Sequence, residues 1–348
     1  MRTLTTGSAA LLGALALGFS LTVAAPAAMA DTIVLKKADF GVATQTRTKR
    51  SMWWSEEVSK RSGGKVKVQY FPAGSLLKAR DTFEGIRSGA VDIGIWVQAY
   101  TPSVSPMSGL YYLPGISTHI GPAMRAVKEL VFGPEFSFYR DEMRKHGVEP
   151  LYAWGVSDQE LISTKPIGGL AALKGLKVRA IGRAWPKLIS EYGGVPLTMP
   201  WPEVYEGLSR GTLEANVGYV TANVSAKLHE VAKHHTRIHL GAPAGPMAIM
   251  NKAKYDALPA DVKKIMAEVS AEYVDLLAAD YAKDLDDAMK AMKAAGVTFY
   301  EWPADDRAKL ENSMGKMWKA WADGMDAKGL PGSEALKRYQ ELQKKHAG

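Results

Sequence analysis

The stretch that decides the fold is "LKGLKVRAIGRAWPKLISEYGGVPLTMPWPEVYEGLSRGTLEAN", Leu173–Asn216. Near its start, charged and apolar residues alternate as they do in a half-buried strand, so Lys177 and Arg179 share one face. Val178 and Ala180 share the other face. On this segment alone the ordinary interpretation of Arg179 is a charge that faces solvent, because arginine is mostly exposed in proteins. The rest of the sequence decides whether that interpretation holds.

Strand-like segments recur on both sides of this stretch. The first half contains "TIVLKKADF", "KVKVQYF", "DIGIWV" and "EPLYAWGV", and the second half contains "KVRAI", "VPLTM", "GTLEANVGYV" and "TRIHLGA". Helical patterns separate these segments, for example from Thr48 to Ser62. This alternation predicts an α/β fold with a mostly parallel sheet and helices on both of its faces.

The longest predicted element is a helix from Pro259 to Ala295. The ring of Pro259 suits the first turn of a helix, and neither Pro nor Gly follows it before Ala295. Apolar residues recur in this segment at spacings of three and four. At 1.5 Å per residue the helix would be roughly 50 Å long, which exceeds the width of a small domain. It would therefore have to run across more than one domain.

The first thirty residues predict a cleavable signal peptide. Arg2 supplies a positive charge, "AALLGALALGFSLTVA" is an apolar run, and "AMA" ending at Ala30 is a cleavage pattern before Asp31. A membrane anchor is the alternative, but the apolar run is short and ends at Pro26. The chain also has no cysteine, so it has neither disulfides nor a thiol for a lipid. We expect a soluble periplasmic protein that begins at Asp31.

Composition and charge exclude some function classes. The chain has 348 residues, of which 47% are hydrophobic and 23% charged, enough for two hydrophobic cores. The formal net charge of +8 would suit anionic ligands, although the even spread of lysines favours a merely basic surface. No Lys/Arg run alternates with aromatic residues, as a nucleic-acid groove requires, so no nucleic-acid partner is expected.

The catalytic patterns in the chain are weak. Gly207–Gly211 matches G-x-S-x-G, but a predicted helix precedes Ser209 and a strand follows it, the reverse of a nucleophile elbow. Neither a P-loop nor a dinucleotide fingerprint occurs, so no cofactor is expected. A structural or surface role is favoured over a metal site for the four clustered histidines, which lack an H-E-x-x-H pattern: His229, His234, His235 and His239.

Several motifs together resemble one family. The segments "STKPIGGLAALKGLKVR", "GGVPLTMPWPEVYEGLSRGTLEAN" and "GKVKVQYFPAGSLLKARDTFEGIRSGAVDIG" are similar to the motifs of the DctP-like solute-binding proteins of tripartite ATP-independent periplasmic (TRAP) transporters. The shared patterns are a K-G-L-K-x-R strand, an aromatic residue before E-V-Y, and a G-x-L turn. The resemblance covers essentially the whole mature chain in order, and it is specific because several motifs agree.

The resemblance implies a two-lobed periplasmic binding protein with a ligand cleft between its lobes. Two α/β lobes would be joined by crossing strands and spanned by the long helix. Lobe I would comprise 31–155 and about 245–285, and lobe II 156–244 and about 286–348 with the C-terminal helices. The lobes would close on an organic acid anion, a carboxylate or a sulfonate. A monomer would then deliver the anion to integral membrane permease subunits for ion-coupled uptake, without enzymatic activity, metal or cofactor.

The resemblance also implies the residues that bind the ligand. Arg179 would project into the cleft and pair with a carboxylate, to which a guanidinium offers two parallel N–H donors. Trp201 would pack on the solute, and the alternative for it is a helix-start residue buried in the core. The remaining candidate contacts are Gln159, Trp154, Trp96, Gln98, Asn216, Tyr219 and Arg80.

The chain departs from the family pattern at two positions. Gln159 stands where some members carry a second Arg or Lys, and Gly218 lies near the place of an expected Asn. Both changes remove polar groups that bind ligand, so a monoanion with an apolar or aromatic body is favoured over a dicarboxylate. Lys78 or Arg80 could still bring a second positive charge into the cleft. Core packing and ligand contact both remain open for the aromatic residues Trp96, Tyr100, Trp154 and Tyr219.

Two other function classes remain open from the sequence. An exported α/β enzyme such as a hydrolase would be revealed by turnover of esters or phosphates. A periplasmic sensor that binds solute and reports to a membrane receptor would share the fold. Two genes for integral membrane subunits beside this gene would indicate transport instead.

Overall fold

The computed structural model describes residues 32–347, so the predicted signal peptide lies outside the described residues. Within this range the chain forms eleven strands: β1 (Ile33–Ala38), β2 (Val66–Phe71), β3 (Ile93–Trp96), β4 (Val148–Ala153), β5 (Glu160–Ser163), β6 (Lys177–Arg179), β7 (Val195–Leu197), β8 (Ala215–Gly218), β9 (His234–Arg237), β10 (Met247–Asn251) and β11 (Thr298–Glu301).

The same range contains twelve α-helices: α1 (Thr46–Arg61), α2 (Thr82–Arg87), α3 (Ile120–Phe132), α4 (Phe138–Lys145), α5 (Ala184–Glu191), α6 (Val204–Ser209), α7 (Val220–Ser225), α8 (Leu228–Val231), α9 (Lys252–Asp256), α10 (Ala260–Ala294), α11 (Ala304–Asp326) and α12 (Gly332–Ala347). Short 3-10 turns lie at Gln98–Tyr100, Pro106–Tyr112, Leu170–Leu173 and Trp201–Glu203. None of the helices in residues 32–347 combines the length and the apolarity needed to cross a bilayer.

The strands form two sheets, which confirms the predicted two-lobed α/β fold. The first sheet has the order β2-β1-β3-β10-β4, and the second has the order β11-β9-β5-β8-β6-β7. Helices pack on both sheets, and α12 packs against α3 beside the first sheet. The bounds of the two lobes stay a prediction.

The sheets are mostly parallel as predicted, and each contains one reversed strand. β10 is antiparallel to both β3 and β4, and β5 is antiparallel to both β8 and β9. Both strands enter their sheet from the other lobe. They therefore run away from the cleft, while the parallel strands of each sheet run towards it.

Two crossing segments connect the sheets, one between β4 and β5 and the other between β9 and β10. They pair along their length through backbone hydrogen bonds from the N–H of Trp154 to the carbonyl of Pro246 (2.8 Å) and from Val156 to Pro243 (3.0 Å). The N–H of Gln159 donates to the carbonyl of Gly241 at 2.9 Å. These paired segments form the connection between the two lobes.

The long helix α10 is present as predicted, with 35 residues. It packs on α1, α3 and β4 beside the first sheet and on α7 beside the second sheet. Arg50 of α1 donates two hydrogen bonds to Asp280, each 2.8 Å long. A single rigid element therefore contacts both lobes, which explains its length.

The strands β5, β10 and β11 were not predicted. All four residues of β5 and all five of β10 are buried. A strand that is buried on both faces lacks the alternation that identifies a half-exposed strand. The predicted strand "TRIHLGA" contains only the end of β9, since the structure places its remaining residues in a crossing segment.

Candidate ligand-binding site

The candidate site is a cavity of about 70 Å³ between the two lobes. It lies where strands of both sheets end: Phe40 follows β1, Trp154 follows β4, Arg179 ends β6 and Tyr219 follows β8. Ligands of α/β proteins bind beyond the carboxyl ends of the strands, because loops and helix starts converge there. The walls are mainly aromatic and apolar, with two arginines, Arg47 and Arg179.

Arg179 is held at the cavity by four hydrogen bonds of unequal length. Its Nε donates to the carbonyl oxygen of Met199 at 2.9 Å. One terminal nitrogen donates to the Asn216 side chain at 3.4 Å and to the Val217 carbonyl at 3.3 Å, and the other donates to the Tyr100 hydroxyl at 3.4 Å. The short bond orients the guanidinium, while the three long bonds leave its outer edge weakly engaged.

The charge of Arg179 has no carboxylate partner within 4 Å among residues 32–347, although the residue is only 3% exposed. Burial lowers the pKa of Arg179, and the neighbouring Tyr100 acts in the opposite direction. An arginine nevertheless remains protonated in proteins. A buried cation without a counter-charge is unfavourable, so the site suits an anion.

The second arginine of the cavity, Arg47, is fully compensated. Its two terminal nitrogens each donate to a different oxygen of Asp39 at 2.7 Å, a bidentate ion pair between buried side chains. The Arg47 guanidinium also lies over the rings of Phe40 (5.3 Å) and Trp154 (4.8 Å). Burial acts to lower the pKa of Arg47, but the charge and hydrogen bonds of Asp39 raise it well above its ordinary value.

The aromatic wall on the second-sheet side is formed by Trp201 and Tyr219. Their rings are stacked with centroids 6.3 Å apart and an angle of 22° between planes. The backbone N–H of Trp201 donates to the Tyr100 hydroxyl at 3.0 Å, and the Arg179 guanidinium lies 5.8 Å from the Trp201 ring. This stack offers a flat apolar surface next to the uncompensated cation.

A comparison with known proteins identifies the family. The family model for bacterial extracellular solute-binding proteins, family 7, matches residues 41–324, which is most of the chain. The chain belongs to this family.

Known proteins match this family-7 protein in sequence or structure along most of their length. The C4-dicarboxylate-binding periplasmic protein DctP of Rhodobacter capsulatus is 26% identical over 335 residues, 94% of this chain and 96% of the relative. A TRAP solute-binding protein from Rhodoferax ferrireducens, solved with copurified benzoate, has a TM-score of 0.83 at 26% identity and covers 91% of this chain and 99% of its own.

A further similar structure comes from a marine metagenome. It is a TRAP solute-binding protein specific for aromatic acid ligands, in complex with 3-hydroxybenzoate. It is 26% identical to this chain, covers 92% of it and all of its own chain, and has a TM-score of 0.83. The predicted resemblance to TRAP solute-binding proteins is confirmed. The family-7 protein is therefore a periplasmic solute-binding protein and not an enzyme.

Four predicted site residues line the cavity together with Arg179: Trp154, Gln159, Trp201 and Tyr219. Gln159 is 4% exposed, and its Nε2 donates to the carbonyl of Ser157 at 3.0 Å. The indole N–H of Trp154 is buried without a hydrogen-bond partner among the described residues. A polar group of the ligand could therefore satisfy it.

Four other predicted residues do not line this cavity. Trp96 packs against Phe83 with ring centroids 4.8 Å apart, and Gln98 donates to the carbonyl of Gly245 at 2.7 Å. The side-chain oxygen of Asn216 accepts a hydrogen bond from the Arg179 guanidinium at 3.4 Å. Arg80 is exposed and donates to the carbonyl of Thr198 at 3.2 Å. Their engagement elsewhere removes them from the set of contacts that we propose below.

The clustered histidines have protein partners. Nδ1 of His239 lies 2.6 Å from a carboxylate oxygen of Asp158, and Nε2 of His235 contacts Glu160. Burial raises the pKa of Asp158, and the hydrogen bond to His239 opposes this shift. Carboxylate oxygens of Asp158 and Glu160 and a ring nitrogen of His239 lie within 4.8 Å of one another. These groups satisfy one another at the crossing segments, outside the cavity.

The sequence analysis missed several residues that line the cavity, among them Phe40, Arg47, Tyr112 and Trp185. The available signal for Arg47 was its position at the start of a helix that follows a parallel strand, since such positions face the cleft. A larger groove of about 240 Å³ lies elsewhere, between the 3-10 turn Pro106–Tyr112, α5 and α11. It does not include Arg179, so the smaller cavity is the better candidate.

Proposed function

We propose that this family-7 protein captures an organic acid monoanion, a carboxylate or a sulfonate with an apolar or aromatic body, by closure of its two lobes. It then delivers the anion to the integral membrane subunits of a TRAP transporter for ion-coupled uptake. The family assignment supports the transport step. The proposed contacts are Arg179, Trp201, Tyr219, Trp154 and Gln159, all at the cavity.

The observation that carries this proposal is the uncompensated charge of Arg179. The guanidinium is buried beside the cavity, and three of its four hydrogen bonds are 3.3–3.4 Å long. A carboxylate placed there could replace these weak bonds with two charge-assisted ones, which are shorter and stronger. The aromatic stack of Trp201 and Tyr219 would cover the apolar body of the ligand and gain from its burial.

The charges around the cavity favour a single negative charge on the ligand. Arg179 contributes one uncompensated positive charge, and the charge of Arg47 is cancelled by Asp39. A second ligand carboxylate would be buried without a free counter-charge, which costs several kcal/mol. The similar structures that hold benzoate and 3-hydroxybenzoate support the same chemical class.

The variants Arg179→Ala and Arg179→Lys test the anion anchor. We expect Arg179→Ala to weaken binding of the best monocarboxylate by roughly 2–5 kcal/mol, because it leaves a desolvated carboxylate unpaired. Arg179→Lys keeps the charge but loses the planar pair of donors, so its loss should be intermediate. Isothermal titration calorimetry measures both, after circular dichroism has established that each variant is folded.

The matched control is Arg183→Ala, which removes an exposed arginine four residues away and outside the cavity. Its affinity should equal that of the unmodified protein. Unchanged affinity in a folded Arg179→Ala variant would contradict the proposed anchor.

A competition assay tests the charge of the ligand. Benzoate, 3-hydroxybenzoate and short monocarboxylates and sulfonates should displace one another and outcompete succinate, malate and fumarate. The C4-dicarboxylates are the most informative test ligands, because the Rhodobacter relative is named for binding them. A dicarboxylate that binds at least tenfold tighter than every monoanion would contradict the preference and leave the family assignment intact.

A further inference from the structure

Asp39 and Arg47 form a buried ion pair at the wall of the cavity. Arg47 lines the cavity, whereas the Asp39 side chain is fully buried behind it. Asp39 accepts two hydrogen bonds from Arg47 at 2.7 Å, one from the N–H of Gly41 at 2.7 Å, and one from the Tyr70 hydroxyl. Four donors thus fix the position of the carboxylate.

The Arg47 guanidinium is also held in place by several contacts. Besides the two bonds to Asp39, one terminal nitrogen donates to the Thr48 hydroxyl at 3.1 Å. Phe40 and Trp154 present their rings to the guanidinium. Three of the five N–H groups of a guanidinium are therefore used, and two have no acceptor in residues 32–347. Arg47 keeps donors for a ligand, but Asp39 cancels its charge.

The backbone at Gly41 approaches the pair closely. A Cβ at Gly41 would lie 2.1 Å from a terminal nitrogen of Arg47 and 2.3 Å from the Thr48 hydroxyl. Lys37, a third buried basic residue nearby, does not bond to this pair: its Nζ donates to the Ser51 carbonyl and the Tyr152 hydroxyl. The position of Arg47 is therefore set by Asp39 and by its packing.

Arg47 and Arg179 line the same small cavity, and both are near Tyr219: burial raises the pKa of the Tyr219 hydroxyl, while the positive charge of each arginine lowers it. A ligand anchored on Arg179 therefore extends towards Arg47. Any carboxylate at its far end meets a guanidinium whose charge is already neutralised, with the Asp39 carboxylate directly behind it. Electrostatic repulsion from Asp39 then offsets much of the attraction to Arg47, while the desolvation of the second carboxylate remains unfavourable.

We propose that Asp39 determines the ligand charge that this protein accepts, by masking Arg47 so that the cavity presents one positive charge instead of two. This inference rests on the proposed function, since it explains why a monoanion is preferred. It makes Asp39 a specificity-determining residue that does not itself touch the ligand. Removal of its charge should convert the site into one that accepts dicarboxylates.

The experiment is a four-protein series with two pairs of a monoanion and a dianion: benzoate with isophthalate, which share a benzene ring, and butyrate with succinate, which share a four-carbon chain. Asp39→Asn exposes the Arg47 charge, Arg47→Met leaves the Asp39 charge alone, and the double variant removes both. We expect Asp39→Asn to raise the ratio of dianion to monoanion affinity at least tenfold, measured by calorimetry. The double variant should return that ratio to the unmodified value.

Two further comparisons keep the outcome decisive. If Asp39→Asn does not fold, Arg47→Met should bind benzoate at least tenfold more weakly than the double variant, because only the single variant keeps an unpaired carboxylate. Replacing both members of a buried pair is generally better tolerated than removing one. The control is Glu149→Gln, which neutralises an equally buried, arginine-paired carboxylate outside the cavity and should leave the ratio unchanged.

The results distinguish this inference from the proposed function. An unchanged ratio in folded Asp39→Asn, or equal benzoate affinity in Arg47→Met and the double variant, would overturn the role of Asp39 while monoanion binding stands. An unmodified protein that binds none of the four acids would overturn both.

Discussion

At the scale of single residues, the protein buries three basic side chains, and each has a different environment. Lys37 is 0% exposed and donates only to uncharged groups, namely the Ser51 carbonyl and the hydroxyls of Ser55 and Tyr152. Arg47 is paired with Asp39. Arg179 has no counter-charge among the described residues and faces the cavity. Only the last arrangement leaves a charge for a ligand to complete.

Lys37 gives a prediction about stability and pH. Burial lowers the pKa of Lys37 well below its ordinary value, and the nearby Asp39 opposes this shift. In the unfolded chain its pKa is about 10.4. Between the two pKa values the unfolded chain binds a proton that the folded protein does not. The free energy of unfolding therefore rises with pH there, by up to about 1.4 kcal/mol per pH unit for this group.

The variant Lys37→Met removes this group. We expect its free energy of unfolding, relative to the unmodified protein, to fall steadily as the pH is raised towards 10. Urea unfolding at a series of pH values measures the difference. Lys36→Met, at the exposed neighbouring position, should show no such trend. A difference that is independent of pH for Lys37→Met would mean that the lysine is buried in its charged form.

At the scale of elements, α10 is the component that contacts both lobes. Its buried side is formed by residues such as Val269, Tyr273, Val274 and Leu277, each at most 1% exposed. These residues recur at spacings of one, three and four and place one stripe of the helix against the lobes. Packing of that stripe, and not helix propensity alone, provides most of the stability of such an element.

Two adjacent leucines of α10 test this. Leu277 is 0% exposed, whereas Leu276 is 36% exposed. Leu277→Ala should reduce the free energy of unfolding by about 2–5 kcal/mol through lost burial and a residual cavity. Leu276→Ala should change it by about 1 kcal/mol or less, since surface substitutions have small effects. Urea unfolding compares the two, and equal losses would contradict the packing described for this helix.

At the scale of the whole molecule, contacts across the cleft hold the two lobes together. The Tyr100 hydroxyl, beside the first sheet, accepts from the backbone of Trp201 at 3.0 Å, and Arg80 donates to the Thr198 carbonyl at 3.2 Å. The N–H of Gly182 also donates to the Ala99 carbonyl at 3.2 Å. These few bonds would break when the lobes separate about the crossing segments.

A bound anion should therefore stabilise the closed arrangement. Hinge closure is a shift of population, which a ligand produces only if it contacts both lobes, as the cavity allows. Small-angle X-ray scattering should show a smaller radius of gyration with benzoate at saturation than without it. Arg179→Ala at the same benzoate concentration serves as the control and should show a smaller change. An unchanged radius in a protein that calorimetry shows to be saturated would mean that closure does not accompany binding.

The sequence by itself determined the features that depend on local pattern. The alternation in "KVR" located β6 and Arg179, and the absence of Pro and Gly predicted α10 almost to the residue. Motif order predicted the family and the two-lobed fold. Each of these follows from residues close together in the chain, where the periodicity of burial and the backbone preferences can be read directly.

Only the tertiary structure decided which side chains meet. The sequence offered Trp96 and Trp154 equally as candidate ligand contacts. In the structure Trp96 packs against Phe83, while Trp154 lines the cavity. The reversed strands β5 and β10 depend on the direction from which each crossing segment enters a sheet. The masking of Arg47 by Asp39 depends on two side chains that a turn and a helix start bring together. Burial and charge pairing are set by neighbours in space, and a local pattern does not specify those neighbours.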